Sequence, residues 1–229
     1  MDNNYLVCTV KSWNIEAFHA LTPALPGNWH LFSDKDSLTL EKVRDINPRY
    51  VFFPHWSWIV PQEIVSDYAC VCFHMTDVPY GRGGSPLQNL IARGHTDTQL
   101  TALRMVETLD AGPVYAKQPL SLDGSATEIL TRAGQMSYAM MRDIVETQPT
   151  PTPQSGEPTV FKRRTTAMSE IPQDADSSQV YDTIRMLDAE GYPHAFIQHG
   201  EWTLSFTDAT QHDNGDITAT VRLTQEKPE

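Results

Sequence analysis

Short apolar runs alternate with helically spaced segments through the first half of the chain, the pattern of an open α/β sheet with crossover helices. Tyr5 to Val10 reads as a strand and Ser12 to Ala20 as a helix. Trp29 to Ser33 is a second strand, followed by a helix over Ser37 to Asp45, where a serine with Glu and Lys behind it marks the start. Arg49 to Phe53 and Ala69 to His74 read as buried strands, Gly84 to Arg93 as a helix and Gln99 to Leu109 as a further strand. Thr127 to Glu146 is a long helix whose Ile129, Ala133, Met136, Met140 and Ile144 fall on one face, a core stripe.

The pattern changes at 148–159, QPTPTPQSGEPT, where four prolines, a glycine and no large apolar residue read as a loop or linker. Beyond it Ser177 to Glu190 is an amphipathic helix stopped by Gly191-Tyr192-Pro193. Ala195 to Gln198, Trp202 to Phe206 and Ile217 to Leu223 read as antiparallel strands, the last two joined through a tight turn at Asn214-Gly215. The chain therefore divides into 1–150, a linker and crossover segment 151–176, and a small α+β part at 177–229.

At 229 residues with 40% hydrophobic and 20% charged positions, the chain has material for one sizeable core and a smaller attachment, which excludes a disordered or fibrous class. No apolar run approaches the roughly 20 residues of a membrane helix, and the first residues lack a signal core. Three cysteines, Cys8, Cys70 and Cys72, do not form a disulfide framework, so a reducing cytoplasm is the expected setting. The net charge of -12 changes the picture most. From Thr150 onward six Lys and Arg face thirteen Asp and Glu, and eleven face sixteen before it, so neither part is basic and a nucleic-acid partner is not expected. One basic cluster survives, Lys162-Arg163-Arg164.

Candidate chemistry centres on 72–86, CFHMTDVPYGRGGSP, which puts His74 at the carboxyl end of a buried strand, where open α/β sheets bind ligands. The loop Gly81-Arg82-Gly83-Gly84 is neither a P-loop nor a dinucleotide fingerprint, and Ser85 is not in a nucleophile elbow. No Glu-x-x-His pair or Cys-x-x-Cys quartet is present, so no metal is expected.

In order along the chain, Cys72-Phe73-His74, Val78-Pro79, Arg82-Gly83, Pro86, Gly94 with Thr98 and Thr101, and Leu109-Asp110-Ala111-Gly112 resemble the core motif of the formyltransferases that use 10-formyltetrahydrofolate. Ser57-Trp58-Ile59-Val60-Pro61 is similar to that family's pterin-lining loop, and the likeness is strong over about residues 45 to 150. It implies a Rossmann-like formyltransferase core with a small C-terminal helix and antiparallel hairpin. It also implies catalytic roles for His74, Asp110 and Cys72, and contacts to 10-formyltetrahydrofolate from Trp58, Ile59, Val60, Arg82, Val106 and Thr108. In the family the His donates to the developing oxyanion and the Asp orients it and relays protons. Cys72 stands where the family has Asn, the second oxyanion donor. That leaves two readings open: an enzyme with a substitute donor, or a catalytically impaired folate or nucleotide-sugar binding homologue. Phe161 to Arg164 followed by Ile184 to Phe196 resembles the C-terminal piece of sugar N-formyltransferases. The expected acceptor is accordingly the amine of a nucleotide-linked amino sugar, a 4-amino-4,6-dideoxyhexose of surface-glycan or nonulosonic-acid synthesis, held by Lys162, Arg163 and Arg164. A transformylase acting on another small amine and a homodimer stay open.

Overall fold

A computed structural model describes residues 3–225. In chain order its elements are β1 (Asn4–Cys8), α1 (Ser12–Leu21), β2 (Asn28–Phe32), α2 (Leu40–Ile46), β3 (Tyr50–Phe53), α3 (Gln62–Asp67), β4 (Ala69–His74), β5 (Arg82–Gly83), α4 (Pro86–Ile91), β6 (Asp97–Arg104), β7 (Val114–Ser121), α5 (Ala126–Thr147), β8 (Val160–Phe161), α6 (Ser177–Arg185), β9 (Ala195–His199), β10 (Trp202–Gln211) and β11 (Ile217–Gln225). The chain folds as two units. Among the described residues one takes 3–83, 98–120 and 131–160, and the other 84–97, 121–130 and 161–225.

The first unit is built on a six-stranded sheet in the order β2-β1-β3-β4-β6-β7. β1 pairs in parallel with β2 and β3, and β3 with β4, while β4 pairs antiparallel with β6. Alternation along the strands sorts the core onto two faces. Leu6, Cys8, Val51, Phe53 and Cys70 pack with Val43 of α2 and with Ile64 and Val65 of α3. On the other face Tyr5, Trp29, Tyr50, Phe52 and Phe73 form a chain of ring contacts, with Tyr5 and Trp29 centroids 4.8 Å apart and Phe52 and Phe73 6.3 Å apart. Burial, then the neighbouring Cys70, pushes the Cys8 thiol up, and burial raises Cys70 to about 12, so both behave as small apolar residues.

Four elements lie outside the sequence expectation: the two-residue strands β5 and β8, and α3 and β7. α3 is only six residues long behind Pro61, too short for a helical period to stand out. β7, VYAKQPLS, is an edge strand of the sheet, and an edge tolerates the Lys117 and Pro119 that make it read as irregular. α2 starts later than its serine suggests. Ser37 bonds back to Asp34, and Thr39 is the cap, accepting from the Lys42 amide at 3.3 Å. β6 ends at Arg104, and 105–113 is loop. In α5 the expected stripe is buried at Ile129, Ala133, Met140 and Ile144.

In the second unit α6 opens on a capping box between Asp176 and Gln179, and β9, β10 and β11 form an antiparallel sheet in the order β11-β10-β9. The β10–β11 turn falls at Asn214-Gly215, with Gly215 at φ 86. Among the described residues no helix is long and apolar enough to cross a membrane.

Candidate functional site

β4 ends at His74, which is buried and paired in register with Thr101 of β6. The loop that follows is fixed from β6: Thr101 Oγ1 donates to Thr76 O at 2.7 Å and Thr98 Oγ1 to Met75 O at 3.3 Å. The two threonines of the sequence motif therefore shape the turn after the histidine. Gly81 O then accepts from both Thr76 Oγ1, at 3.3 Å, and His74 Nε2, at 2.8 Å. A carbonyl oxygen only accepts, so Nε2 carries a proton, and Nδ1 lies on the side of Asp110.

Nδ1 of His74 and Oδ2 of Asp110 are 3.6 Å apart, and both side chains are 9% exposed. The gap is too long for a hydrogen bond, so Nδ1 is not committed to the carboxylate. Asp110 comes from the loop after β6 and sits in the left-handed region at φ 53, which Asp tolerates better than most residues. Three restraints hold it there. Its Oδ2 accepts the Gly83 amide at 2.9 Å. Its carbonyl and that of Gly112 accept Gln154 Nε2 at 2.8 and 2.7 Å. Gly112 passes so close to the Arg104 carbonyl that an added Cβ would lie 1.7 Å from it, so only glycine fits.

Gln154 is the functional residue that the sequence reading misses, because it lies in the proline-rich stretch. That stretch runs as a strap over the first unit: Thr152 and Val114 exchange backbone bonds at 2.7 and 2.8 Å, and Thr159 O accepts the Arg82 amide at 2.9 Å. Arg82, expected to meet the cofactor, instead donates from Nε and Nη2 to Gln154 Oε1 at 3.1 and 2.7 Å. Its guanidinium thus orients the amide that grips Asp110.

Cys72 lies two residues before His74 on the same face of β4, half-buried, with Sγ 3.9 Å from Leu103 O. Burial, and then the Asp110 charge, pushes its thiol well above the usual range, so it remains a neutral thiol. Sequence order alone could not bring Cys72, His74 and Asp110 together; the antiparallel β4–β6 pairing and the Asp110 loop do.

Of the expected cofactor loop, Val60 is buried in the core beside Ile64, whereas Ile59 is 89% exposed and Trp58 40% exposed. Trp58 meets the ring of Trp56 edge-on at 5.1 Å. The Trp56 indole nitrogen is buried and has no acceptor among the described residues. Val106, Thr108 and Leu109 are exposed on the loop that carries Asp110. In the second unit Lys162 and Arg163 are exposed and Arg164 is half-buried. Among the described residues no group of three or more His, Cys, Asp and Glu is placed to hold a metal ion.

The family model described as "Methionyl-tRNA formyltransferase, C-terminal domain" matches residues 166–224. The structure of methionyl-tRNA formyltransferase from Clostridium thermocellum superposes with a TM-score of 0.95 at 45% identity, over 98% of this chain and 100% of that one. A methionyl-tRNA formyltransferase of Francisella philomiragia is 26% identical over 200 residues, 83% of this chain; the chain spans 64% of the length of that relative. HypX from Aquifex aeolicus, solved in complex with tetrahydrofolic acid, shares the fold with a TM-score of 0.73 at 18% identity, over 93% of this chain and 39% of HypX. These matches overturn the expectation that nucleic acid plays no part. The relatives carry the name of an enzyme that acts on a tRNA, and net charge, a whole-chain average, was too coarse a ground for excluding one.

Proposed function

Because this chain belongs to the formyltransferase family that the methionyl-tRNA enzymes represent, we propose that it moves a formyl group from 10-formyltetrahydrofolate to a primary amine, with the aminoacyl end of a charged tRNA as acceptor. The observation that carries this reading is the His74–Asp110 pair, 3.6 Å apart, with Asp110 locked onto the Gly83 amide. The exposed edge of Trp58 and Ile59 and the unpaired Trp56 indole N–H fit a flat heteroaromatic ring that brings its own hydrogen-bond acceptors.

Bound there, the folate supplies an activated formyl carbon: the amine nitrogen bonds to it, the carbon–N10 bond breaks, one proton leaves the amine and one reaches N10. His74, protonated, offers Nδ1–H to the formyl oxygen as negative charge develops on it. Its Nε2–H bond to Gly81 O keeps the ring from turning away. Asp110 Oδ2 stabilises that imidazolium, accepts the proton the amine releases, directly or through a water, and passes it on to N10 as the carbon–N10 bond breaks. Cys72, a neutral thiol, adds only a weak donor.

A second reading, an amino sugar carried on a nucleotide, is favoured by one observation: residues 166–224 hold ten Asp and Glu against two Arg, an unusual surface for meeting RNA. The test is formyl transfer from 10-formyltetrahydrofolate to methionyl-tRNA and, in parallel, to nucleotide-linked amino sugars. His74→Ala and Asp110→Asn are each expected to lower kcat by about 10²-fold or more with little change in KM or melting temperature. Full activity in both folded variants would defeat the catalytic assignment.

A further inference from the structure

The second unit carries fifteen Asp and Glu against seven Lys and Arg over 84–97, 121–130 and 161–229. Four of those seven cations, Arg93, Lys162, Arg163 and Arg164, are nevertheless gathered in one place. Segment 161–164 is strapped onto 84–93 by backbone. The Gly84 amide donates to Phe161 O at 3.1 Å, Asn89 Nδ2 to Lys162 O at 3.0 Å, and the Arg164 amide to Ser85 Oγ at 3.1 Å. At Gly84 an added Cβ would lie 2.7 Å from Arg163 Cβ, so the two segments meet at a distance only glycine permits.

The guanidinium of Arg93 lies 4.5 Å from the Phe161 ring centre and donates through Nη1 to Asn89 O and Oδ1. Arg164 donates through Nη2 to Met168 O, and its Nε is buried with no acceptor. Burial, and then the charge of Arg93, lowers the pKa of Arg164, so the two guanidiniums feel each other. Among the described residues no carboxylate pairs with any of the four cations. Glu170, Asp174 and Asp176 follow Arg164 within twelve residues, yet none is paired with it. Like charges held together by fixed backbone, with unused N–H donors and no internal counter-charge, are arranged for an external anion with several oxygens.

We infer that Arg93 and Arg164, flanked by Arg163 and Lys162, form a binding site for phosphate, and that this site takes the phosphate-bearing part of the acceptor. The second clause rests on the formyl-transfer reading above; the first does not. Two sources share the chemistry, the phosphodiester of an RNA and the diphosphate of a free nucleotide.

The test is calorimetric titration of the full chain with inorganic pyrophosphate at low salt and without folate. Arg164→Gln is expected to weaken binding at least tenfold, and Arg164→Lys to recover part of the loss. Arg222→Gln, on the exposed strand β11, is expected to leave it unchanged. Arg93→Gln should act like Arg164→Gln. Because Arg93 also braces Asn89, circular dichroism and a melting curve accompany every variant, and Arg164→Gln is the deciding one. No pyrophosphate binding, equal binding by wild type and folded Arg164→Gln, or an equal loss in Arg222→Gln would each overturn the site. Two further arms identify the source. With an RNA hairpin bearing a single-stranded 3′ end, loss of a phosphate contact lowers the slope of log K against log salt by about 0.7 to 0.9. If a nucleoside diphosphate is the ligand, Arg164→Gln weakens its binding tenfold and leaves RNA binding as in wild type. A chain that binds pyrophosphate through Arg164 but transfers no formyl group contradicts only the proposed activity.

Discussion

Substitution of Gln154 by Ala tests whether the proline-rich strap positions Asp110, the carboxylate proposed to accept the amine's proton. The side chain makes four hydrogen bonds, two to the carbonyls of Asp110 and Gly112 and two from Arg82, all between 2.7 and 3.1 Å. Bonds to neutral carbonyls contribute about 1 kcal/mol each and charged ones about 1.5 to 3. Gln154 is half-buried and water replaces part of what is lost, so a destabilisation of about 2 to 3 kcal/mol is expected. In a chain of this size that lowers the melting temperature by about 5 to 10 °C. Asp110 then keeps the Gly83 amide and the close packing at Gly112, but its carbonyl loses its hydrogen bond. A displacement of about 1 Å at a reacting group can cost on the order of 10²-fold in rate. Steady-state formyl transfer below the melting transition should show kcat reduced about 10- to 100-fold, with KM for the amine nearly unchanged. Gln154→Glu separates positioning from packing. It still accepts from Arg82 and regains part of the melting temperature, but it turns a carboxylate toward two carbonyls and should leave kcat low. A wild-type kcat in Gln154→Ala, with the melting temperature lowered as expected, refutes the reasoning.

Cys72 should be alkylated slowly by iodoacetamide at pH 8, since burial and Asp110 both hold its thiol up; Asp110→Asn should speed labelling, and rapid labelling of wild type, read by mass spectrometry, would contradict the assigned environment. Cys72→Ala should keep kcat within a few-fold, and a loss as deep as that of His74→Ala would make the thiol itself catalytic. Burial, and then the Lys11 charge, holds His55 down to about 4, so between pH 6.5 and 4 the unfolded chain binds the extra proton and stability is lost as pH falls. His55→Asn, which suits the left-handed backbone at φ 58, should lose less melting temperature than wild type between pH 7 and 4.5; identical slopes would count against it. Trp58→Ala should weaken binding of a tetrahydrofolate analogue, followed by the remaining tryptophan emission, and equal affinity would remove this loop from the site.

The sheet was legible because its central strands carry the continuous apolar runs that two buried faces require, as at Tyr5-Leu6-Val7-Cys8 and Tyr50-Val51-Phe52-Phe53. β7 was not, because an edge strand is free to hold Lys117 and Pro119. His74 and Asp110, which the structure brings within 3.6 Å, were singled out only through ordered resemblance to a family. Nothing local in either residue distinguishes it from a structural histidine or a turn aspartate. Gln154 was hidden for the opposite reason: prolines that usually mark a free linker here preset an extended strap, whose remaining polar groups bond to the sheet edge and the Asp110 loop. Arg82 was read as a ligand contact through the same resemblance, and no sequence rule reveals that its Nε and Nη2 also hold Gln154.

The strap also bears on where this chain can be cut or recombined. A junction chosen from secondary structure alone falls after Thr147, at the end of α5, and retains every strand of the six-stranded sheet. It would discard Thr152, Gln154 and Thr159 together, and with them the tie to Val114, the clamp on the Asp110 loop and the partner of the Arg82 amide. The scaffold and the reactive pair thus have different C-terminal limits, about a dozen residues apart by the strap's bonding pattern. Exchange of the C-terminal segment between relatives keeps the Asp110 loop clamped only when the crossover lies past Thr159, and a hybrid joined earlier inherits the sheet with that loop unanchored.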